Sequence, residues 1–256
     1  MITDLLVGPS ILMYHSIVDS SDDPYAVSVG AFREQIRWLS EHGFEVVPLS
    51  ILVRSIQTRK KGNLRKKVVI TFDDGYKDFL DNALPILLSY RAPATVFLVT
   101  DLLGGRASWN ESGMHAPLLS EDEVRCIKAR GISLGSHTAT HVNLPLLNRE
   151  EMRRQLRDSH NRLTLLGETF YALSYPWGQW SRQVVDTVKA SGYECATVVG
   201  EQTGFTADAI YLLPRITMTR NMDLRRFQSL LKRTLFEMEL RRRYRKFREN
   251  KLGVPS

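Results

Sequence analysis

The chain has 256 residues, 43% of them hydrophobic, and its 35 lysine and arginine residues outnumber its 28 acidic residues, which gives a net charge of +7. This length favours a single large α/β domain, and no apolar run is long enough to span a membrane, so we expect a soluble protein. Residues 1–10 contain no lysine or arginine before their apolar stretch, which indicates no signal peptide and predicts a cytoplasmic location. Cys126 and Cys195 are too few for a disulfide framework, and we interpret both as free, buried thiols.

The first predicted strand runs from Ile11 to Tyr14 and ends at His15, and the first predicted helix covers residues 28–42 before Gly43. Leu80 and Leu84 predict a later helix. Pro85 should kink or restart that helix, because proline lacks the amide hydrogen that a helix interior uses.

The most informative strand is the β-branched, apolar run from Val68 to Phe72, which is followed directly by Asp73, Asp74 and Gly75. Parallel α/β sheets place their chemistry at the carboxyl ends of their strands, where this acidic pair lies. Adjacent side chains of an extended chain point to opposite sides, so one carboxylate could bind a cation while the other transfers a proton. Asp74 and Gly75 could instead be ordinary turn residues.

A second short strand ends at His137, and His141 follows four residues later. If the segment between them turns helically, two imidazoles at this spacing reach one point, as in other two-histidine metal motifs. Asp74, His137 and His141 would then form a metal site with two nitrogen ligands, one oxygen ligand and open positions for water and substrate.

Three motifs in this order resemble those of the polysaccharide deacetylases, the NodB-homology family that is also called carbohydrate esterase family 4. They are Thr-Phe-Asp-Asp-Gly at residues 71–75, His-Thr-Ala-Thr-His at residues 137–141 and Tyr-Pro-Trp-Gly at residues 175–178. The resemblance extends over roughly residues 8–217. It implies a distorted (β/α)7-type barrel, a divalent metal and the hydrolysis of N-acetyl groups from amino sugars.

The start of the chain, with Tyr14 and His15, resembles the branch that includes the poly-N-acetylglucosamine de-N-acetylases, in which the general-acid histidine comes from the first strand. No histidine follows His160, so a late motif cannot supply the acid, and His15 is our candidate. The alternative is that His15 merely ends a strand. The resemblance also implies that the backbone amide of Trp177 binds the oxyanion and that its side chain flanks the acetate pocket.

The sequence departs from the family pattern at Ser174, where many members carry an arginine that supports the catalytic aspartate. We expect Arg215, near the end of the last strand, to replace it and to lower the pKa of Asp73 by pairing with that carboxylate. The alternative is that Arg215 is a surface residue after a proline.

The connection over residues 101–118 is long enough to form a flexible wall of the active site, with Trp109 as either a sugar-stacking residue or a core residue. The remaining histidines, His42, His115 and His160, are interpreted as structural.

We divide the chain into a catalytic domain, residues 1–219, and a basic helical extension, residues 220–256, whose apolar stripe from Leu224 to Met238 should pack on the barrel. Residues 220–251 hold 12 lysine and arginine residues against 4 acidic ones, so the rest of the chain is close to neutral. The cluster at residues 241–248 fits a solvated helix end, a segment lying on an anionic membrane surface or, least well, a nucleic-acid contact.

These inferences predict a metal-dependent hydrolase that removes N-acetyl groups from sugars, with Asp73 as base and His15 as acid. Zinc suits the two-histidine, one-carboxylate site, and nickel or cobalt would fit the same ligands. Two alternatives remain open. One is a hydrolase of the same fold acting on peptidoglycan, xylan or a small cyclic amide, and the other is a non-catalytic carbohydrate-binding scaffold.

Overall fold

The computed structural model describes residues 9–58, 64, 66–109, 116–200 and 205–231. His115, the basic cluster at residues 241–248 and most of the predicted C-terminal extension lie outside the described residues.

The described strands, in chain order, are β1 (Ser10–Tyr14), β2 (Ser16–Ile17), β3 (Ala26–Val27), β4 (Glu45–Val46), β5 (Lys67–Phe72), β6 (Ala94–Leu98), β7 (Ser133–Ser136), β8 (Ala172–Ser174), β9 (Cys195–Val199) and β10 (Leu213–Thr217). Seven of them form a parallel ring in the order β1, β10, β9, β8, β7, β6, β5. The ring closes where β5 pairs with β1, with Ser10 opposite Val68 and Tyr14 opposite Phe72. The predicted seven-stranded α/β barrel is thereby confirmed.

The helices in the described ranges are α1 (Val29–Glu41), α2 (Leu49–Gln57), α3 (Leu84–Ser89), α4 (Glu121–Ala129), α5 (Arg149–Leu165), α6 (Arg182–Ala190) and α7 (Leu224–Leu231). The side chains of Ser28, Asn148 and Ser181 cap α1, α5 and α6 by accepting backbone amide hydrogens. Ser120 and Glu123 form a reciprocal capping box at the start of α4. The predicted restart at Pro85 is confirmed, because a π-helical segment, Phe79–Ala83, gives way to α3 immediately before this proline.

The barrel packs apolar side chains on both faces of its strands. Leu12, Ile70 and Val96 pack outward with the residues of α1 and α3. Ile11, Val69, Phe97 and Leu213 form the inward-facing set, against which α2 packs. Because successive strand residues alternate between the two faces, both surfaces of the sheet are apolar and buried.

Two expectations about the periphery are refined by the structure. Cys195 is buried on β9, but Cys126 is only partly buried on α4, so the prediction that both thiols are buried is wrong for Cys126.

On α7, Phe227 and Leu231 are fully buried, and the rings of Phe227 and Trp38 on α1 make an edge-to-face contact with a centroid distance of 5.9 Å. Within the described ranges, no helix combines the length and apolar character needed to cross a bilayer.

Candidate active site

Asp74, His137 and His141 converge at the carboxyl ends of β5 and β7, which β6 separates in the ring. Asp74 follows β5 and His137 follows β7, so the parallel ring brings them to the same rim. The distance from Asp74 Oδ1 to His137 Nε2 is 3.4 Å, and the distance to His141 Nε2 is 3.3 Å. One ligand atom from each of these buried residues lies within 4.8 Å of the others. The sequence-predicted ligand set is therefore brought together in space.

The turn that carries the two histidines is not the helical turn that the four-residue spacing would need to bring them together on its own. Thr138 has φ 66° and His141 has φ 59°, and both values lie in the left-handed region that non-glycine residues rarely adopt. Gln155 of α5 holds this turn, because its side-chain oxygen accepts the Thr140 amide hydrogen at 3.0 Å and its side-chain nitrogen donates to the Thr140 hydroxyl at 2.9 Å. The surrounding structure therefore supports a conformation that the local sequence does not favour.

The hydrogen bonds of this group fit a divalent metal. His137 donates from Nδ1 to the backbone carbonyl of Ser174 at 2.9 Å, which leaves Nε2 as an acceptor directed at Asp74. Burial lowers the pKa of His137 to about 4, so its imidazole is neutral near pH 7, as a metal ligand must be. Oδ1 of Asp74 is buried and has no hydrogen-bond partner among the described residues. Two imidazole nitrogens, from His137 and His141, facing one such carboxylate oxygen form a donor set suited to a cation.

The neighbouring carboxylate, Asp73, lies in the same cavity and is bound by Arg215. Nη1 of Arg215 donates to Oδ1 of Asp73 at 2.7 Å, and Nη2 donates to Oδ2 at 2.6 Å. The hydroxyl of Ser174 donates to Oδ2 at 3.0 Å and accepts from Nη2 of Arg215 at 2.8 Å. Burial alone would raise the pKa of Asp73, but the charge and hydrogen bonds of Arg215 hold it well below its usual range. Asp73 is therefore a carboxylate at neutral pH.

His15 lies directly after β1 and lines the same cavity as the two aspartates. Its ring faces Tyr25 at a centroid distance of 4.9 Å. Nδ1 of His15 is buried and makes no hydrogen bond to the described part of the chain. The structure thus places this histidine at the cavity, where it is available to a bound molecule.

Two tryptophans flank the metal-ligand candidate His141. Trp109 stacks on its imidazole at 4.2 Å and 12°, and Trp177 meets it edge-on at 5.0 Å. Trp109 is therefore part of the site wall, although it also packs against the small apolar cluster behind it. Trp177 is 53% exposed and has φ 61°. The next residue must be glycine, because a β-carbon at Gly178 would lie 2.8 Å from a methyl carbon of Val199.

The cavity above these residues, called here the catalytic cavity, has a volume of about 230 Å³. Its walls also include Asp23, Tyr25 and Tyr76, which the sequence did not single out because no motif marks them. His42 and His160 lie elsewhere and stack on Trp38 and Tyr171, which agrees with their structural interpretation. A buried, ionised carboxylate, a candidate cation site and a histidine with an unbonded Nδ1 thus surround one open cavity, an arrangement suited to hydrolysis.

Comparisons with known proteins agree with this geometry. A family model described as polysaccharide deacetylase matches residues 60–196. The chain is 27% identical over 215 residues to YxkH of Bacillus subtilis (strain 168), covering 83% of this chain and 72% of that protein. It is 26% identical over 220 residues to the poly-beta-1,6-N-acetyl-D-glucosamine N-deacetylase of Staphylococcus aureus (strain MRSA252), covering 82% of this chain and 72% of that protein.

Among solved structures, the Streptococcus pyogenes deacetylase PplD in complex with acetate is similar, with a TM-score of 0.76 and 25% identity over 88% of this chain and 99% of that chain. The family model alone spans more than half of the residues. The chain therefore belongs to the polysaccharide deacetylase family of hydrolases.

Proposed function

We propose that this protein is a zinc-dependent N-deacetylase that hydrolyses the acetamido groups of N-acetylated amino sugars in a glycan or a glycan precursor. The observation that carries this proposal is the separation of the two adjacent carboxylates. Asp73 is held ionised by Arg215, while Asp74 faces His137 and His141. The substrate class is supported by the printed activity of the Staphylococcus aureus relative and by the acetate bound to PplD.

Asp74, His137 and His141 would hold the divalent cation, which when bound supplies Lewis-acid activation of water and of the acetyl carbonyl. Zinc is our first choice because two imidazoles and one carboxylate, with open positions, are its usual catalytic ligands, and nickel and cobalt accept the same atoms. The hydrogen bond from Nδ1 of His137 to the Ser174 carbonyl orients that imidazole for this task.

Asp73 is proposed as the general base. Its two oxygens are fixed by Arg215 and Ser174 at the floor of the catalytic cavity, so the carboxylate cannot rotate away from an attacking water. The low pKa of Asp73 keeps it ionised over the range in which a hydrolase operates, and it accepts the proton that water loses on attack.

His15 is proposed as the general acid that protonates the departing amine. It lines the catalytic cavity from the end of β1, and its buried Nδ1 is not engaged by any described residue. The backbone amide of Trp177 is proposed to bind the oxyanion of the tetrahedral intermediate, and its exposed indole to cover the acetyl group. The products are acetate and a free amino sugar.

The decisive experiment measures acetate release from N-acetylglucosamine oligomers by zinc-loaded protein, before and after removal of the metal with a chelator. Asp73→Asn should reduce the rate by about 10²-fold or more while leaving bound zinc unchanged, since it removes a general base and no ligand. Asp186→Asn, which changes an exposed carboxylate on α6, is the matched control and should retain full activity. Acetate release that persists in Asp73→Asn would overturn the assignment of the base, and no release by any form would overturn the proposed activity.

A further inference from the structure

The proposed acid, His15, and the proposed base, Asp73, come from two separate segments of the chain, and their relative position must be fixed by contacts between those segments. On the N-terminal side of His15 the contact is made by the backbone. The Asp73 amide donates to the Tyr14 carbonyl at 2.9 Å, and Tyr14 lies opposite Phe72 in the pairing of β1 with β5. These bonds fix the residue before His15, so the residues after it need an anchor of their own.

That anchor is Asp78, an acidic residue to which the proposed mechanism gives no role. Its Oδ2 accepts a hydrogen bond from the Ser16 hydroxyl at 2.7 Å, and its Oδ1 accepts one from the Ile17 amide at 2.8 Å. Asn82, in the π-helical segment that follows Asp78, donates to the Ile17 carbonyl at 2.8 Å. Both oxygens of Asp78 and both backbone polar groups of Ile17 are therefore engaged in joining the two segments.

The two residues that Asp78 binds form β2, and the pairing of β2 determines where two rings of the catalytic cavity lie. β2 pairs in parallel with β3, with Ser16 opposite Ala26. The residues just before these two, His15 and Tyr25, therefore lie side by side, and their ring centroids are 4.9 Å apart. Both residues line the catalytic cavity. A displacement of β2 would consequently move the proposed acid together with the ring that it contacts.

Asp78 acts at a distance from the reacting atoms. It is half-buried, and it is absent from the described residues that line the catalytic cavity. Burial raises the pKa of Asp78, and the hydrogen bonds from Ile17 and Ser16 offset part of that rise. A carboxylate that is largely withdrawn from water and bound through both oxygens to one short strand is suited to holding that strand in a single position.

We propose that Asp78 is a positioning residue for the reaction, which holds the imidazole of His15 where it can protonate the departing amine. This proposal rests on the proposed function, in which His15 is the acid. Asp78 and Asp73 belong to one short segment, so this segment supplies the base and also fixes the acid. Because a small misplacement of a catalytic group costs much of its effect, loss of Asp78 should impair the step that needs an acid and spare metal binding.

The first test determines whether Asp78 acts through His15. Asp78→Ala should lower kcat for N-acetylglucosamine oligomers by about tenfold, with KM and zinc affinity little changed. Combined with His15→Ala, the same change should cause no further loss, because the group that it positions is already absent. Asp78→Asn should retain most of the activity, since its amide can accept from Ile17 and donate to the Ser16 hydroxyl. Additive losses in the double variant, or a loss in Asp78→Asn equal to that in Asp78→Ala, overturn the proposal.

The second test separates misplacement of the acid from a general loss of structure. p-Nitrophenyl acetate releases a phenolate that needs no proton from the enzyme, so zinc-loaded Asp78→Ala should hydrolyse this ester at the wild-type rate. The matched control is Asp81→Asn, which changes an exposed carboxylate of the same segment and should leave both the ester and the amide reaction unchanged. If Asp78→Ala impairs ester and amide hydrolysis equally, the proposal is wrong.

The third test needs no turnover and distinguishes this proposal from the proposed activity. The imidazole signals of protein labelled with ¹⁵N-histidine are recorded by NMR, and the His15 signal is identified by its loss in His15→Ala. Asp78→Ala should shift or broaden that signal and leave the His160 signal unchanged, whereas Asp78→Asn should preserve both. This result supports the positioning role even if the wild type released no acetate, which would overturn the deacetylase activity alone. An unchanged His15 signal in Asp78→Ala overturns the positioning role and leaves the activity standing.

Discussion

Arg215 and Asp73 form a buried, bidentate ion pair across the interior of the barrel. Nη1 and Nη2 of Arg215 lie 2.7 Å and 2.6 Å from Oδ1 and Oδ2 of Asp73. Arg215 belongs to β10 and Asp73 follows β5, and β1 lies between these strands in the ring. Arg215 is 1% exposed, so the two charges neutralise each other in a place that water does not reach.

The first prediction is that Arg215 sets the acid limb of the pH–rate profile. The pKa of Asp73 is lowered in the folded protein. Asp73 is therefore already ionised at the pH at which an ordinary aspartate begins to ionise, and it becomes protonated only at lower pH. In Arg215→Met the effect of burial is no longer offset, and the pKa of Asp73 rises. We expect the acid limb of kcat/KM to move to higher pH and the rate near neutral pH to fall.

The control for this prediction is Arg215→Lys, which keeps a positive charge but cannot make both hydrogen bonds. It should shift the acid limb less than Arg215→Met does. Loss of a partner from a buried ion pair also costs about 3–5 kcal/mol of stability, so circular dichroism must show that each variant is folded. An unshifted acid limb in folded Arg215→Met would contradict the prediction.

The second prediction concerns Ser174, which contacts both halves of the site. Its hydroxyl binds Asp73 and Arg215, and its backbone carbonyl accepts from Nδ1 of His137. Ser174→Ala removes the hydroxyl contacts and keeps the carbonyl, so it should lower kcat by about tenfold with little change in zinc affinity. Zinc titration of this variant separates the two roles. A large loss of zinc affinity would show that the hydroxyl supports the metal ligands rather than the base.

The third prediction is that His15 acts as an acid. His15→Ala should lower kcat by about 10²- to 10⁴-fold, because protonation of the amine leaving group becomes limiting. The matched control is His160→Ala, a histidine outside the catalytic cavity, which should keep full activity. Substrates with better leaving groups provide an internal check, since they need less help from an acid and should be impaired less. Equal impairment of all substrates would indicate a role in folding or binding instead.

The metal-ligand candidates could be predicted because the information about them is local. Asp74 follows an unmistakable buried strand, and His137 and His141 share a four-residue spacing after another strand. The left-handed conformations of Asp74, His141 and Trp177 could not be predicted in this way, since none is a glycine. These conformations are imposed by the surrounding barrel, and functional sites commonly contain such backbone strain.

Other features depend on long-range pairing and had no sequence signal. Tyr25 reaches the catalytic cavity only because the segment after β1 folds back beside His15. The helix α2 was not predicted, and its apolar residues pack on the inward-facing set of the barrel. Because the family's usual arginine is replaced by Ser174, we expected Arg215 to pair with Asp73. The burial of Arg215 within β10, however, depends on the closure of the strand ring, which the local sequence does not show.

The fourth prediction is that zinc stabilises the folded protein through Asp74 and not through Asp73. A ligand that binds only the folded state raises the free energy of unfolding, by about 2.7 kcal/mol at a concentration of 100 times its Kd. We therefore expect Tm to rise with zinc in the wild type and in Asp73→Asn. In Asp74→Asn the rise should be largely lost, because this change removes the charged oxygen that faces both imidazoles. Differential scanning fluorimetry with zinc and with chelator measures the effect, and an equal Tm shift in all three proteins would place the zinc elsewhere on the chain.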